Sequence, residues 1–472
     1  MNRDDLADHI RRHLEEDPSG IAAHLNGLRP ADVADLLNRL TDTEASQVLT
    51  LLPSQEATQV CNQRWLNRRG RIIEQLEPKH AAKILAGVSP DQRTEILRGL
   101  SPHERRSLLP ELSAEARKEA EGLILYSDHV AGGIMTTEFL TLEPEMTVEH
   151  ALARVRQVGP SHEQIYACYV LETSVGAAPA PAPAAPRRLL GVVSLRDLVL
   201  ANPTQSISQV MHPHPITVNA LDDRTVVAEK ISKYNLLAVA VLDEQGGLLG
   251  SVTVDDIIDV MVEKQTEDVL RMGAVEPTAL DQPYMQTGLA TMVRKRAGWL
   301  VILFLGEMLT ATAMGYFEDE IKSAVVLALF VPLIISSGGN SGSQATTIII
   351  RALALREIRL GDWWRIMRRE IVSGLSLGAI LGSIGFLRIA VWSLFSTIYG
   401  PHWMLIALTV GLSLVGIILW GTISGSMLPL ILKRVGFDPA TSSAPFVATL
   451  VDVTGLIIYF SVAMIVLRGT LL

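Results

Sequence analysis

The chain has 472 residues, 48% of them hydrophobic, two cysteines and a formal net charge of −9. It is long enough for several domains, and Cys61 and Cys168 alone offer neither a disulfide framework nor a zinc spacing. Residues 291–472 hold 14 Lys/Arg against 9 Asp/Glu, which leaves 27 against 41, a balance of −14, upstream; so acidic a segment argues against a nucleic-acid partner, whose phosphates it would repel.

The N-terminus carries Asp4, Asp5, Asp8 and Glu15 where a signal peptide needs an apolar run, so the soluble part is expected in a reducing cytosol. Residues 1–130 read as an all-α domain. Pro78, Pro90 and Pro102 recur every twelve residues, each followed by a helix-like stretch, at 79–88, 91–100 and 103–112. Ser89-Pro90 and Ser101-Pro102 supply an N-cap and a proline at the first helical position, where its missing N–H costs nothing. Helices this short cannot bury their apolar faces alone, so they are expected to stack into a superhelical array.

A second repeat occupies residues 131–262, in copies of about 131–202 and 203–262. Gly191-Val-Val-Ser-Leu-Arg-Asp-Leu198 matches Gly250-Ser-Val-Thr-Val-Asp-Asp-Ile257 position by position. Each copy is opened by a Met-led pair, Met135-Thr136 or Met211-His212, and reads strand–helix–strand–strand–helix. This α/β pattern resembles a tandem pair of CBS modules. The Ala/Pro tract at 176–186 reads as a solvated hairpin loop in the first copy.

Residues 263–293 form a polar connector expected to be helical, followed by Arg294-Lys295-Arg296. Residues 294–472 then hold five apolar segments, near 297–317, 322–350, 371–398, 402–432 and 443–467, each long enough for the ~20 residues a bilayer span needs. Basic residues fall on alternate sides: Arg294–Arg296 before the first span, Arg351, Arg356, Arg359, Arg365, Arg368 and Arg369 between the second and third, Lys433 and Arg434 between the fourth and fifth. The positive-inside rule therefore puts the N-terminal domains in the cytosol and the C-terminus outside a plasma (inner) membrane.

Asp452 stands in Phe446-Val-Ala-Thr-Leu-Val-Asp-Val-Thr-Gly455, an otherwise apolar helix. A carboxylate is costly in hydrocarbon unless it lines water or holds an ion. Ala448, four residues earlier, shares its face, and Thr449 and Gly455 lie nearby, leaving room for a hydrated cation. Magnesium dehydrates reluctantly, so a carboxylate among small residues suits it through its waters. The run from Ser336 to Ser343, with Gly338, Gly339 and Asn340, follows Pro332, which is expected to kink the second span. Its glycines permit close helix packing or shape the same constriction. Glu307 and Arg388 are two further intramembrane charges, expected to pair with each other or to reach outward.

Asp256, Asp259 and Glu263 share one helical face that Glu267 continues, with Asp268 beside it, and Asp438 should sit at the mouth of the fifth span. A solvated face is the plain explanation; adjacency to the connector favours a cation sensor.

The order of domains, with Gly338-Gly-Asn-Ser-Gly-Ser-Gln-Ala345 and the run from Asp438 to Gly455, is similar to the MgtE family of magnesium channels over nearly the whole chain. The resemblance implies a homodimer with a Mg2+-selective pore between subunits, lined by the fifth spans, and Asp452 as the pore carboxylate. It also implies a plug helix in the connector, closed by cytosolic Mg2+ held at Asp256, Asp259, Glu267, Asp268 and Asp438. Arg196 and Asp197 match the place where relatives can hold ATP as a regulator. Asn235 and Lys264 stand where acids are expected, and Ala444 where relatives can carry asparagine; the Glu307 position is unusual too. Two rival readings are a Na+-coupled Mg2+ exchanger and a nucleotide-sensing membrane receptor. No nucleophile–base pair or metal-ligand cluster is evident in the soluble domains, and no phosphate-binding loop that could power a pump, so an enzyme is not expected.

Overall fold

The computed structural model describes residues 3–16, 20–159, 165–173, 187–276, 284 and 287–471. It divides into two compact units, Met1–Glu263 and Lys264–Leu472. The Ala/Pro tract lies outside the described residues.

The first unit opens with short helices packed in two rows. Pro30–Leu37 packs on Ser54–Cys61, which packs on Pro78–Leu85 and that on Pro102–Leu108; Asp42–Leu51, Arg69–Glu74, Pro90–Gly99 and Ala114–Ile124 form the other row. This stacking gives the short helices one shared core, through Leu37, Leu49, Ile72, Ile84 and Leu97. Pro30, Pro78, Pro90 and Pro102 each sit in a first turn. Ser101 caps its helix by accepting from the Glu104 N–H at 3.2 Å. Ser89, expected to do the same, instead donates to Asn62 Oδ1 at 3.0 Å and ties two helices together.

The repeated modules follow as β1 (Leu140–Leu142), helix Val148–Val158, β2 (Ala167–Leu171), β3 (Leu189–Ser194) and helix Leu195–Leu200, with β4 (His212–Pro213) added at the edge. The second copy has β5 (Thr217–Asn219), helix Arg224–Tyr234, β6 (Ala238–Leu242), β7 (Leu248–Thr253) and helix Val254–Met272. In each, a parallel pair is extended by an antiparallel strand. The Met-led openings cross over: Met211-His212 packs on Gly191 of the first copy, and Met135-Thr136 on Gly250 of the second, bridging Thr136 to Ser251. A Cβ at Gly250 would stand 2.6 Å from Met135 Sδ, so glycine there admits the crossing segment. Tyr169 Oη and Ser251 Oγ, 2.6 Å apart in the core, add a buried hydrogen bond between copies. Asn235 adopts the left-handed C-cap of its helix at φ 52°, a conformation asparagine tolerates and an acid favours less.

The helix that begins at Val254 ends at Met272 and the next begins at Leu289, so among the described residues the connector is helical at its two ends. Among the described residues, five helices of the second unit are long and apolar enough to cross a membrane: Leu289–Tyr316, Val325–Ala354, Leu360–Trp392, Trp403–Val435 and Ala444–Leu467. Arg294–Arg296 ride on the first of them rather than preceding it. Pro332 occupies the first turn of the α-helix Val331–Ala354, after a 3-10 segment, so it starts this helix and does not kink it. Pro429 lies in the interior of the fourth span's helix.

The spans pack through backbone contact. Gly374, Gly378, Gly382 and Gly385 run down one face of the third span against Leu419, Val415, Gly411 and Leu414 of the fourth. Gly338 and Gly342 of the second meet Gly421 and Gly425 of the fourth, where a Cβ on Gly425 would lie 2.2 Å from Gly342 O. Such small-residue seams replace the hydrophobic drive that lipid removes. Thr346 Oγ1 donates across one seam to Gly425 O at 2.9 Å.

Candidate cation site

Ser443 caps the fifth span by accepting from the Phe446 N–H at 3.4 Å. Two turns on, Asp452 is half-buried. A Cβ on Gly339 of the second span would stand 3.4 Å from both Asp452 Oδ1 and Ala448 Cβ. Glycine thus leaves the carboxylate a free flank. On the other side, Gly306 of the first span faces Thr449, where a Cβ would come within 2.9 Å of Thr449 Cγ2. Glu307 follows Gly306 and acts electrostatically on Asp452. Among the described residues, no side chain hydrogen-bonds or ion-pairs with Asp452. A carboxylate without a partner inside a membrane segment needs water or a cation.

The glycines divide by role. Gly339 borders Asp452, whereas Gly338 is turned to Ile417 and Val451, and Gly455 to Ile417, in helix packing. Asn340 is exposed, its amide donating to Ser336 Oγ at 3.4 Å. The expected pairing of Glu307 with Arg388 does not occur among the described residues; the Arg388 guanidinium lies 6.0 Å over the Trp392 ring.

The second group of acids is gathered around two cations. Lys264 Nζ lies 3.1 Å from Asp268, 3.3 Å from Asp438 and 3.4 Å from Glu267, and Arg271 pairs with both Glu267 and Asp438. Lys264 therefore occupies the centre of the acids, as a bound cation would. Asp438 also accepts from the Ala440 N–H at 2.9 Å, capping the turn before the fifth span. Burial raises the Asp438 pKa, but Ala440, Lys264 and Arg271 outweigh it and hold the carboxyl below its usual range. Burial prevails for Asp268 and raises it.

The third group lies in the first unit. Arg64 Nη2 donates to Asp256 Oδ1 at 2.8 Å, and the same guanidinium lies 3.6 Å from Asp91 and from Asp259. Asp256 also accepts from Thr253 Oγ1 at 2.6 Å, the capping contact that Ser194 makes with Asp197 in the other copy. Burial, then the neighbouring Asp91, pushes the Asp256 carboxyl up to about 7 despite Arg64. Asp91 Oδ1 is buried without a hydrogen-bond partner, on the wall of an open cleft that Arg64, Glu95, Asp259 and Glu263 also line. Glu263 is taken by Arg224 at 2.8 Å. The shared helical face is thus divided: Asp256 and Asp259 meet Arg64, Glu263 meets Arg224, and Glu267 meets Arg271.

In the first module Arg196 is exposed, while Asp197 bonds Ser194 and lies 3.2 Å from His212 Nε2. The soluble unit also contains a potential metal-ligand group that the sequence reading did not anticipate, His9, His13 and His24, with ligand atoms within 4.8 Å of one another. Its signal was the four-residue spacing of His9 and His13; Arg64 and Asp91 gave none.

Comparison with known proteins matches residues 331–462 to the MgtE divalent cation transporter family, 28–129 to the MgtE intracellular N domain and 207–263 to the CBS domain. The magnesium transporter MgtE of Thermus thermophilus is 39% identical over 75% of this chain and 73% of its own. That of Enterococcus faecalis is 32% identical over 75% of this chain and 73% of its own. A solved cytosolic domain of the Mg2+ channel MgtE in complex with ATP is 32% identical, covers 54% of this chain and 99% of that one, and superposes with a TM-score of 0.48. With two such relatives above 30% identity over nearly three quarters of their own length, the chain belongs to the MgtE family of divalent cation transporters.

Proposed function

We propose that the chain is a Mg2+-selective channel that admits Mg2+ through a plasma membrane and closes when cytosolic Mg2+ rises. The observation that carries the reading is Asp452: half-buried in a span, flanked by Gly339 and Ala448, and unpartnered by donors among the described residues. Its small neighbours favour a hydrated ion, because Mg2+ keeps several waters and binds through one or two carboxylates. The names of the relatives support magnesium as the cargo. The membrane potential, worth about 2.3 kcal/mol per elementary charge per 100 mV, drives the divalent ion inward.

A homodimer with its pore between subunits brings two Asp452 carboxylates to one ion. In the single chain the first span, Leu289–Tyr316, buries no residue, which leaves surface for lipid and for a second copy. The arginines between the second and third spans favour a cytosolic N-terminus and an outward C-terminus.

Closure is electrostatic. Asp256, Asp259, Glu267, Asp268 and Asp438 are the proposed sensor, joined by Asp91. Formal charges limit how much metal it needs: three carboxylates against Lys264 and Arg271 leave −1, and three against Arg64 leave −2 once Asp256 has lost its proton. Lys264, Arg271 and Arg64 thus supply part of the neutralisation, and Mg2+ supplies the remainder. ATP is proposed as a modulator at Arg196 of the first module, where the exposed guanidinium suits phosphate.

Mg2+ uptake into liposomes holding the purified protein tests the reading. Uptake should follow the imposed potential, persist without a Na+ gradient and fall as internal Mg2+ accumulates. Uptake that tracks the Na+ gradient instead would replace the channel with an exchanger.

A further inference from the structure

We infer that His9, His13 and His24 form a binding site for a divalent transition ion of the Zn2+ class, apart from the Mg2+ sites. His9 and His13 lie four residues apart on the helix Arg3–Glu16, and His24 lies in the short helix Ile21–Leu25. Ring centroids are separated by 4.1 Å (His9 to His13), 4.7 Å (His13 to His24) and 5.0 Å (His9 to His24). The scaffold beneath is fixed: Ala7 and Ile10 of one helix and Ile21 and Leu25 of the other are buried in the same core.

Two hydrogen bonds set the chemistry. His13 Nδ1 lies 3.1 Å from His9 O, and His24 Nδ1 lies 2.8 Å from Gly20 O. A carbonyl only accepts, so each Nδ1 carries the proton and each Nε2 presents a lone pair. Donation from the distal ring nitrogen to a backbone carbonyl is the support that metal-ligating histidines ordinarily have.

Ligand atoms within 4.8 Å need only small side-chain adjustments to reach the roughly 3.3 Å separation of nitrogens around a tetrahedral ion with bonds of ~2.0–2.1 Å. Three imidazoles and no carboxylate select Zn2+, Ni2+, Co2+ or Cu2+. They reject Mg2+, which takes oxygen. Binding would clamp the first two helices of the array to each other.

The test is titration of the full-length protein in detergent with Zn2+ against a chromophoric chelator, in excess Mg2+ to cover the acidic sites. Wild type should bind one more Zn2+ per chain than the triple variant H9A/H13A/H24A. His24→Ala, at an exposed position, should alone weaken that site by at least about tenfold, with the metal-free melting temperature unchanged; His103→Ala should bind as wild type. Zn2+ should raise the melting temperature of wild type and not that of His24→Ala. Identical titrations for wild type and His24→Ala, or full displacement of the extra Zn2+ by Mg2+, overturn the assignment. The assay does not involve transport, so it stands apart from the channel reading.

Discussion

Replacing Lys264 with glutamine removes the cation at the centre of the connector cluster. Its Nζ lies 3.1, 3.3 and 3.4 Å from three carboxylates, so each unscreened pair is worth about 5 kcal/mol at an effective dielectric of ~20. The side chains involved retain 25–38% of their exposure, and screening at such positions reduces each pair to about 0.5–1 kcal/mol. Glu267 and Asp268 lie on the same helix as Lys264, so only the Asp438 pair joins the connector to the mouth of the fifth span, and its loss shifts that equilibrium by about 0.5–1 kcal/mol, or roughly 2- to 5-fold. Patch recordings of K264Q with internal Mg2+ chelated should show the open-to-closed ratio raised by about that factor. Saturating internal Mg2+ should still close it, now with steeper dependence because the metal must replace Lys264. K264R keeps the charge and should behave as wild type. An unchanged open-to-closed ratio for K264Q without Mg2+ would show that this cluster does not hold the connector.

Arg64→Met leaves Asp91, Asp256 and Asp259 without their guanidinium and should cost about 3 kcal/mol; denaturation of the full chain should show the loss and its partial recovery in millimolar Mg2+. Asp256 is raised from 3.8 to about 7, so the folded unit retains a proton that the unfolded chain releases across that window. Stability should therefore fall as pH rises from about 4 to about 7, Mg2+ should stabilise more above that window than below it, and melting of Asp256→Asn should show a flatter pH profile. Gly425→Ala drives a Cβ to 2.2 Å from Gly342 O and should destabilise the membrane unit by about 1–3 kcal/mol. Gly339→Ala meets only ordinary contacts, at 3.4 Å, so it should melt as wild type while slowing Mg2+ flux by filling the flank of Asp452.

Local signals carried much of the architecture. Proline at twelve-residue spacing marked the helical array, the duplicated octapeptide marked the two modules, and apolar length with alternating basic loops marked five spans. Contacts between distant segments were not legible. Arg64 meets Asp256 across 192 positions, and nothing in the local pattern of either announces the other. Lys264 read as a lost acid because spacing shows which residues share a helical face, not which charge arrives from Asp438. Pro332 read as a kink because the sequence alone does not show that its α-helix begins at Val331. The glycines read as one group, and only packing separates Gly339, beside the carboxylate, from Gly338, in the seam with the fourth span.

Mg2+ flux through Asp452→Asn in liposomes tests the central claim most directly. The amide keeps the size of the side chain and removes its charge. The account predicts that voltage-driven Mg2+ entry is nearly abolished while the purified variant melts as wild type. Wild-type flux through a correctly folded Asp452→Asn protein would contradict it.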